Sequence, residues 1–175
     1  MTMWVFGYGS LLWHPGFEID DQQVGVMHDY ARSFCMRSIH HRGTVERPGL
    51  VLALDEMKGA RCEGVAFRVK AGDETQTLEY LRERELISSA YLERILPVHL
   101  KNGDVIEAVT YIIDPDHAQY CHLDLEEQAQ AITHAIGDKG PNPEYLHNTA
   151  QHLVDLGIED PDLNWLSIRV KALCS

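Results

Sequence analysis

Positive charge is scarce in this sequence of 175 residues: 15 Lys and Arg stand against 27 Asp and Glu, a formal net charge of −12. Nucleic acid and anionic membranes both call for a cationic face, so neither is expected as a partner. An anionic small molecule stays open, because a few arginines in a cleft outweigh a distant field at physiological salt. Cysteine is sparse as well. Cys35, Cys62, Cys121 and Cys174 are scattered, with no C-x-x-C pair, which points to a reducing compartment. No stretch reaches the ~18 apolar residues of a membrane span. The start lacks a basic segment followed by an apolar stretch and a cleavage site, so the expectation is a soluble, cytoplasmic protein. Low-complexity tracts, internal repeats and a Pro/Ser-rich linker are also missing. With 45% hydrophobic and 24% charged residues, the chain is expected to fold as one domain over residues 1–175, burying about two thirds of its unfolded surface.

What is present reads as strands first and helices later. "EGVAFRV" sets Val65, Phe67 and Val69 on one face by alternation, while "VLAL" and "AVTYIID" are short apolar runs closed by aspartate. Turn chemistry separates such runs at "RPGL", at Asn102-Gly103 and at "DPDH". Four helices are predicted. One follows Asp73 in "ETQTLEYLRERELI". The next starts at Asp124, with Glu127 completing a capping box, the third at Asn142 with Pro143 first in the helix, and the last at Asp160 with Pro161. Leu146, Thr149, Ala150, Leu153 and Leu156 recur at helical spacing, so the third helix has a packed face. The fold class is α+β, a small mixed β-barrel or curled sheet with flanking helices.

The predicted first helix carries an acidic residue on its apolar side. Leu78, Leu81 and Glu85 fall within a sector of about 60°, while Glu83 points about 160° away toward solvent. An ionised carboxylate buried without a partner is costly, and the usual escapes are a raised pKa or an adjacent cation. A raised pKa suits a general acid or base. A structural role, Glu85 pairing with Arg82 or another arginine at the rim, is the alternative.

A second feature lies at the start, in "WVFGYGSLLW". Gly7 and Gly9 permit positive φ and remove side chains, so that backbone N–H groups and the Ser10 hydroxyl can cradle an anion or oxyanion. A bulge that curls the sheet is the competing reading. Neither G-x-G-x-x-G nor the Walker pattern occurs.

"VFGYGSLLW", "HHRGTVERPGLV" from His40, "GVAFRV" from Gly64, "YLRERE" ending at Glu85 and "NPEYL" from Asn142 together resemble, in order, the ChaC-like γ-glutamylcyclotransferases. The resemblance covers nearly the whole chain. It implies a small mixed barrel with flanking helices, glutathione as substrate, release of 5-oxoproline and cysteinylglycine, and no metal or organic cofactor. Tyr8, Gly9, Ser10 and Leu11 would hold the γ-glutamyl group and Glu85 would be the catalytic acid/base, with Tyr91 carried over as a further pocket residue. Arg42 is a candidate for pairing with a substrate carboxylate or anchoring the pocket, since an arginine fork suits a carboxylate. Tyr145 is a candidate for closing the pocket, with core packing as its rival.

Other readings are weaker. Asp114, Asp116, His117, Cys121 and His122 form the densest cluster of metal-binding types, but no H-E-x-x-H or paired-Cys pattern accompanies them. His147 and His152 are splayed by about 140° around a helix. "GYGSLL" is not the G-x-S-x-G elbow of a serine nucleophile. A cyclotransferase for other γ-glutamyl amino acids or amines, or a silent γ-glutamyl-binding module, remains as an alternative function.

Overall fold

The computed structural model of the chain describes residues 2–86 and 89–175. Strand β1 (Trp4–Gly7) pairs antiparallel with β3 (Gly49–Val69), Val5 opposite Phe67, and parallel with β5 (Val105–Ile113), Val5 opposite Val109. Strand β2 (Ile19–Ser38) lies antiparallel to β4 (Tyr91–Leu100), with Gly25 opposite Leu100. From β4 the chain returns as β5 through the predicted Asn102-Gly103 turn, where Gly103 takes φ 97° and Leu100 and Asp104 close the backbone. The strands close in the order β1-β3-β2-β4-β5, with a further β3–β5 pairing. The expected barrel is therefore a closed one.

Closure explains where simple alternation fails. Ala66, between Val65 and Phe67, is as fully buried as they are, so this stretch is covered on both faces. "VLAL" and "EGVAFRV" also belong to one strand of 21 residues. The exposed run from Glu56 to Gly59, with charges at Glu56 and Lys58, hides their continuity from a hydrophobic pattern.

The chain divides into two compact units, Met1–Ser33 with Ala53–Ala118 and Phe34–Leu52 with Gln119–Ser175. The first holds α1 (Ser10–Trp13) and α2 (Glu74–Glu85). Its core joins Val5, Leu11, Val69, Leu81, Val109 and Tyr111, with Leu78, Tyr80, Leu86 and Tyr91 packed around them. The four-residue α1 is too short for periodicity to reveal. Helix α2 stops two residues before the predicted limit, Ile87, which lies outside the described residues.

The second unit contains α3 (Leu125–His134), the small hairpin of β6 (Ile136–Gly137) and β7 (Gly140–Pro141), α4 (Asn142–Asp155) and α5 (Pro161–Cys174). Helices α3 and α4 both pack on α5. The capping box is present, with Glu127 N–H donating to Asp124 Oδ1 at 2.8 Å and Asp124 N–H to Glu127 Oε1 at 3.2 Å. Asp160 caps α5 by accepting from Leu163 N–H.

Helix α4 starts differently from its prediction. Pro141 occupies the cap and Asn142 the first helical position, so Pro143 is second. The Asn142 side chain is diverted to β3, where Oδ1 accepts from Leu50 N–H at 2.8 Å and Nδ2 donates to Leu50 C=O at 2.9 Å. Asn142→Asp keeps the acceptor and loses the donor, and is expected to cost about 1–3 kcal/mol, read as a lower denaturation midpoint. An unchanged midpoint would show that the bridge adds nothing to stability. Among the described residues, no helix is long and apolar enough to cross a membrane.

Candidate functional site

Leu81 anchors α2 in the core of the first unit with no exposed surface. Glu85 lies one turn further on at the helix end, its side chain 14% exposed, and burial pushes its carboxyl above the ordinary glutamate value of 4.5 against the opposing pull of Arg84. Glu83 is exposed, as the helical wheel requires. Arg82 serves another acid. Its Nε and Nη2 donate to the two carboxylate oxygens of Glu93 at 3.1 and 3.0 Å. Tyr111 donates its hydroxyl to Glu93 Oε1 at 2.9 Å. The Arg82 bond, followed by that from Tyr111, holds Glu93 below the usual carboxylate range. Burial, then Glu93, pushes the Tyr111 phenol well above its own range.

The N-terminal motif forms the turn of α1. Leu12 N–H donates to Gly9 C=O and His14 N–H to Ser10 C=O, both at 2.9 Å. The first N–H groups of a helical turn have no partner within it. The glycines act differently from expectation. Gly9 has φ −139°, and Gly7 likewise lies outside the left-handed region. What Gly7 supplies is space, since an added Cβ would stand 2.9 Å from Phe67 Cε2 and 3.1 Å from Leu11 Cβ.

Around this turn the first unit gathers most of the predicted residues. Tyr8 is buried and donates its hydroxyl to Tyr111 C=O at 2.8 Å. Leu11 packs in the core beside Leu81 and Tyr111, and Tyr91 packs against the same cluster. Ser10 Oγ accepts from Arg84 Nη2 at 3.0 Å, while Arg84 Nε lies 3.3 Å from Glu85 Oε1. Arg84 was not among the predicted site residues. Its position directly before Glu85 in "RERE" was the available signal, but adjacent side chains on a helix do not ordinarily face each other.

Arg42 and Tyr145 belong to the second unit. The buried Arg42 donates from Nη1 to Pro141 C=O at 3.0 Å, lies 3.5 Å from Glu144 Oε1, and sets its guanidinium 5.8 Å from the Tyr145 ring centroid. The Tyr145 hydroxyl accepts from Leu52 N–H at 3.1 Å. In the same unit His147 Nδ1 contacts Ser167 Oγ, and His152 Nδ1 contacts Asn148 C=O. Among the described residues, no group of three or more His, Cys, Asp or Glu is placed to hold a metal ion. A cavity of about 480 Å³ opens in the first unit between Pro15–Glu18 and the N-terminal part of α2, lined there by Asp73, Gln76, Thr77 and Tyr80. Its lining includes neither Glu85 nor any residue from Tyr8 to Leu11.

Residues 3–173 match the family described as ChaC-like protein. The chain belongs to the ChaC-like family. It is 39% identical over 173 residues to a glutathione-specific γ-glutamylcyclotransferase of Escherichia coli K12, covering 98% of this chain and 74% of that protein. A glutathione-specific γ-glutamylcyclotransferase of Schizosaccharomyces pombe is 36% identical, with 93% of this chain and 88% of that protein covered. In structure, this ChaC-like chain matches a crystal structure of a yeast γ-glutamyl cyclotransferase specific to glutathione, with a TM-score of 0.86 at 24% identity, across the full length of both. Its fold is that of the γ-glutamylcyclotransferases.

Proposed function

We propose that this ChaC-like protein is a glutathione-specific γ-glutamylcyclotransferase that releases 5-oxoproline and cysteinylglycine in the cytoplasm, with residues 1–175 working as one catalytic domain. The observation that carries the assignment is Glu85, a carboxyl raised by burial at the end of α2 and tied through Arg84 to Ser10. The α-amino group of the γ-glutamyl residue attacks its own γ-carbonyl carbon. A C–N bond forms to close the five-membered lactam, and the C–N bond to the cysteinyl nitrogen breaks. Glu85 takes a proton from the α-ammonium, which frees the amine lone pair to attack, and returns one to the leaving nitrogen, so no external reactant is consumed.

A raised carboxyl suits this work, because a base closer in pKa to the ammonium makes proton removal less unfavourable. The backbone N–H groups of Gly9, Ser10 and Leu11 are assigned to the γ-glutamyl carbonyl, where one oxyanion donor is worth about 3 kcal/mol. Tyr8 and Leu11 hold that turn in place through Tyr111 and the core, and Tyr91 forms an aromatic wall. Arg42 and Tyr145 are assigned to anchoring, since their polar atoms are engaged by Pro141, Glu144 and Leu52.

The test is an incubation of the purified protein with reduced glutathione and a panel of γ-glutamyl amino acids and amines, followed for 5-oxoproline by mass spectrometry. Formation from glutathione alone is the expected outcome. Equal turnover of the other members would overturn the specificity. Silence across the panel from folded protein would overturn the activity and leave a binding module.

A further inference from the structure

The guanidinium of Arg84 is used on every nitrogen. Nη2 donates to Ser10 Oγ at 3.0 Å, at the first residue of α1. From the other side of the fork, Nη1 donates to the carbonyls of His14 and Pro15, just beyond the last residue of the same turn, and to Tyr80 Oη at 3.2 Å. Nε remains for Glu85. One side chain of α2 thus grips α1 at both ends while touching the carboxylate assigned as base. The grip has a seat. Gly16 takes φ 80°, and a Cβ there would collide with the Tyr80 hydroxyl, so the segment after α1 lies tight against the residue that Arg84 also holds.

A helical neighbour does not meet its predecessor by default, because side chains at i and i+1 point about 100° apart. The Arg84–Glu85 contact forms because the same fork is drawn toward α1. Only arginine has five donors in a planar array that can serve three directions, whereas lysine offers a single ammonium.

We infer that Arg84 is the positioning residue of the site, holding the Ser10 turn and the Glu85 carboxylate in one fixed arrangement. The inference rests on the proposed role of Glu85. Two properties follow from the two jobs. The fork sets the distance between α1 and the carboxylate, and the charge favours the ionised form of Glu85. Among the described residues, Arg84 is the charge that acts on Glu85. Tyr111 on β5 is held protonated, and Glu93 on β4 is already paired with Arg82.

Arg84→Gln removes both properties, and Arg84→Lys keeps only the charge. In both, kcat/KM for glutathione is expected to fall about 10²-fold, the effect of misplacing a catalytic group by about 1 Å. In Arg84→Gln alone, the acid limb of the pH profile is expected to move to higher pH. The same separation is expected in the NMR titration of carboxyl-labelled Glu85, which needs no turnover. A limb and a titration that stay put in Arg84→Gln, with only the melting temperature lowered, would reduce Arg84 to a structural latch and overturn the inference. Full activity of Arg84→Lys would overturn the need for the fork. If the parent protein made no lactam from any substrate, the catalytic reading would fail. An unmoved Glu85 titration in Arg84→Gln would then still overturn the charge role independently.

Discussion

Glu85→Gln is expected to abolish lactam formation, with kcat/KM falling by a factor of at least about 10²–10⁴, and at the same time to raise the melting temperature at pH 7. The substitution keeps the shape of the side chain and removes its ability to carry a proton. The gain in stability follows from linkage. Glu85 has a higher pKa in the folded chain than the ordinary 4.5, so in the interval between the two values the folded state binds more protons than the unfolded one. Stability therefore falls as pH rises through that interval, and above it the full cost of the buried charge is present. Glutamine carries no such cost. The parent and the variant should accordingly converge in melting temperature near pH 4 and separate as pH rises. Retained turnover in Glu85→Gln would remove Glu85 as the base, and a lower melting temperature at pH 7 would show that its contact with Arg84 outweighs burial.

The second large effect concerns the foundation of the site. Leu81→Ala is expected to destabilise the protein by about 2–5 kcal/mol, because a fully buried leucine in the middle of the first unit's core would leave a cavity. In a chain of this size that corresponds to a fall in melting temperature on the order of 5–15 °C. Glu83→Ala is the control, expected to stay within about 0.5 kcal/mol because Glu83 faces solvent. A loss below 1 kcal/mol for Leu81→Ala would mean that α2 is not held by this core.

Local chemistry made some of this readable in advance and tertiary closure hid the rest. The helix starts at Asp124 and Asp160 rest on side-chain caps that contact the chain a few residues away, so the pattern carries them almost unchanged. Glu85 was legible for a related reason, since a charge on the apolar side of a 3.6-residue period is visible without knowing what covers it. Continuity of β3 was not legible, because the exposed run after Asp55 interrupts the hydrophobic signal while the backbone stays extended. The role of Gly7 is legible only in part: the absent side chain is needed, but for close packing rather than positive φ, and the residue that demands it is Phe67, sixty residues away in sequence and across a strand pair. Arg84 is not legible in the sequence, because its partners lie on a turn whose position beside α2 only the closed barrel defines.

The parallel seating of β1 against β5 has a consequence for how the protein is made. Tyr8 finds its carbonyl partner on Tyr111, 103 residues later. At roughly 5–20 residues per second, the N-terminal strand waits on the order of 5–20 s on the ribosome before its neighbour has been synthesised. Throughout that delay the apolar segment from Trp4 to Trp13 has no β5 to dock on. Its antiparallel partner on β3 is complete by Val69, so the side of β1 that faces β5 stays uncovered longest, until residue 113 has emerged.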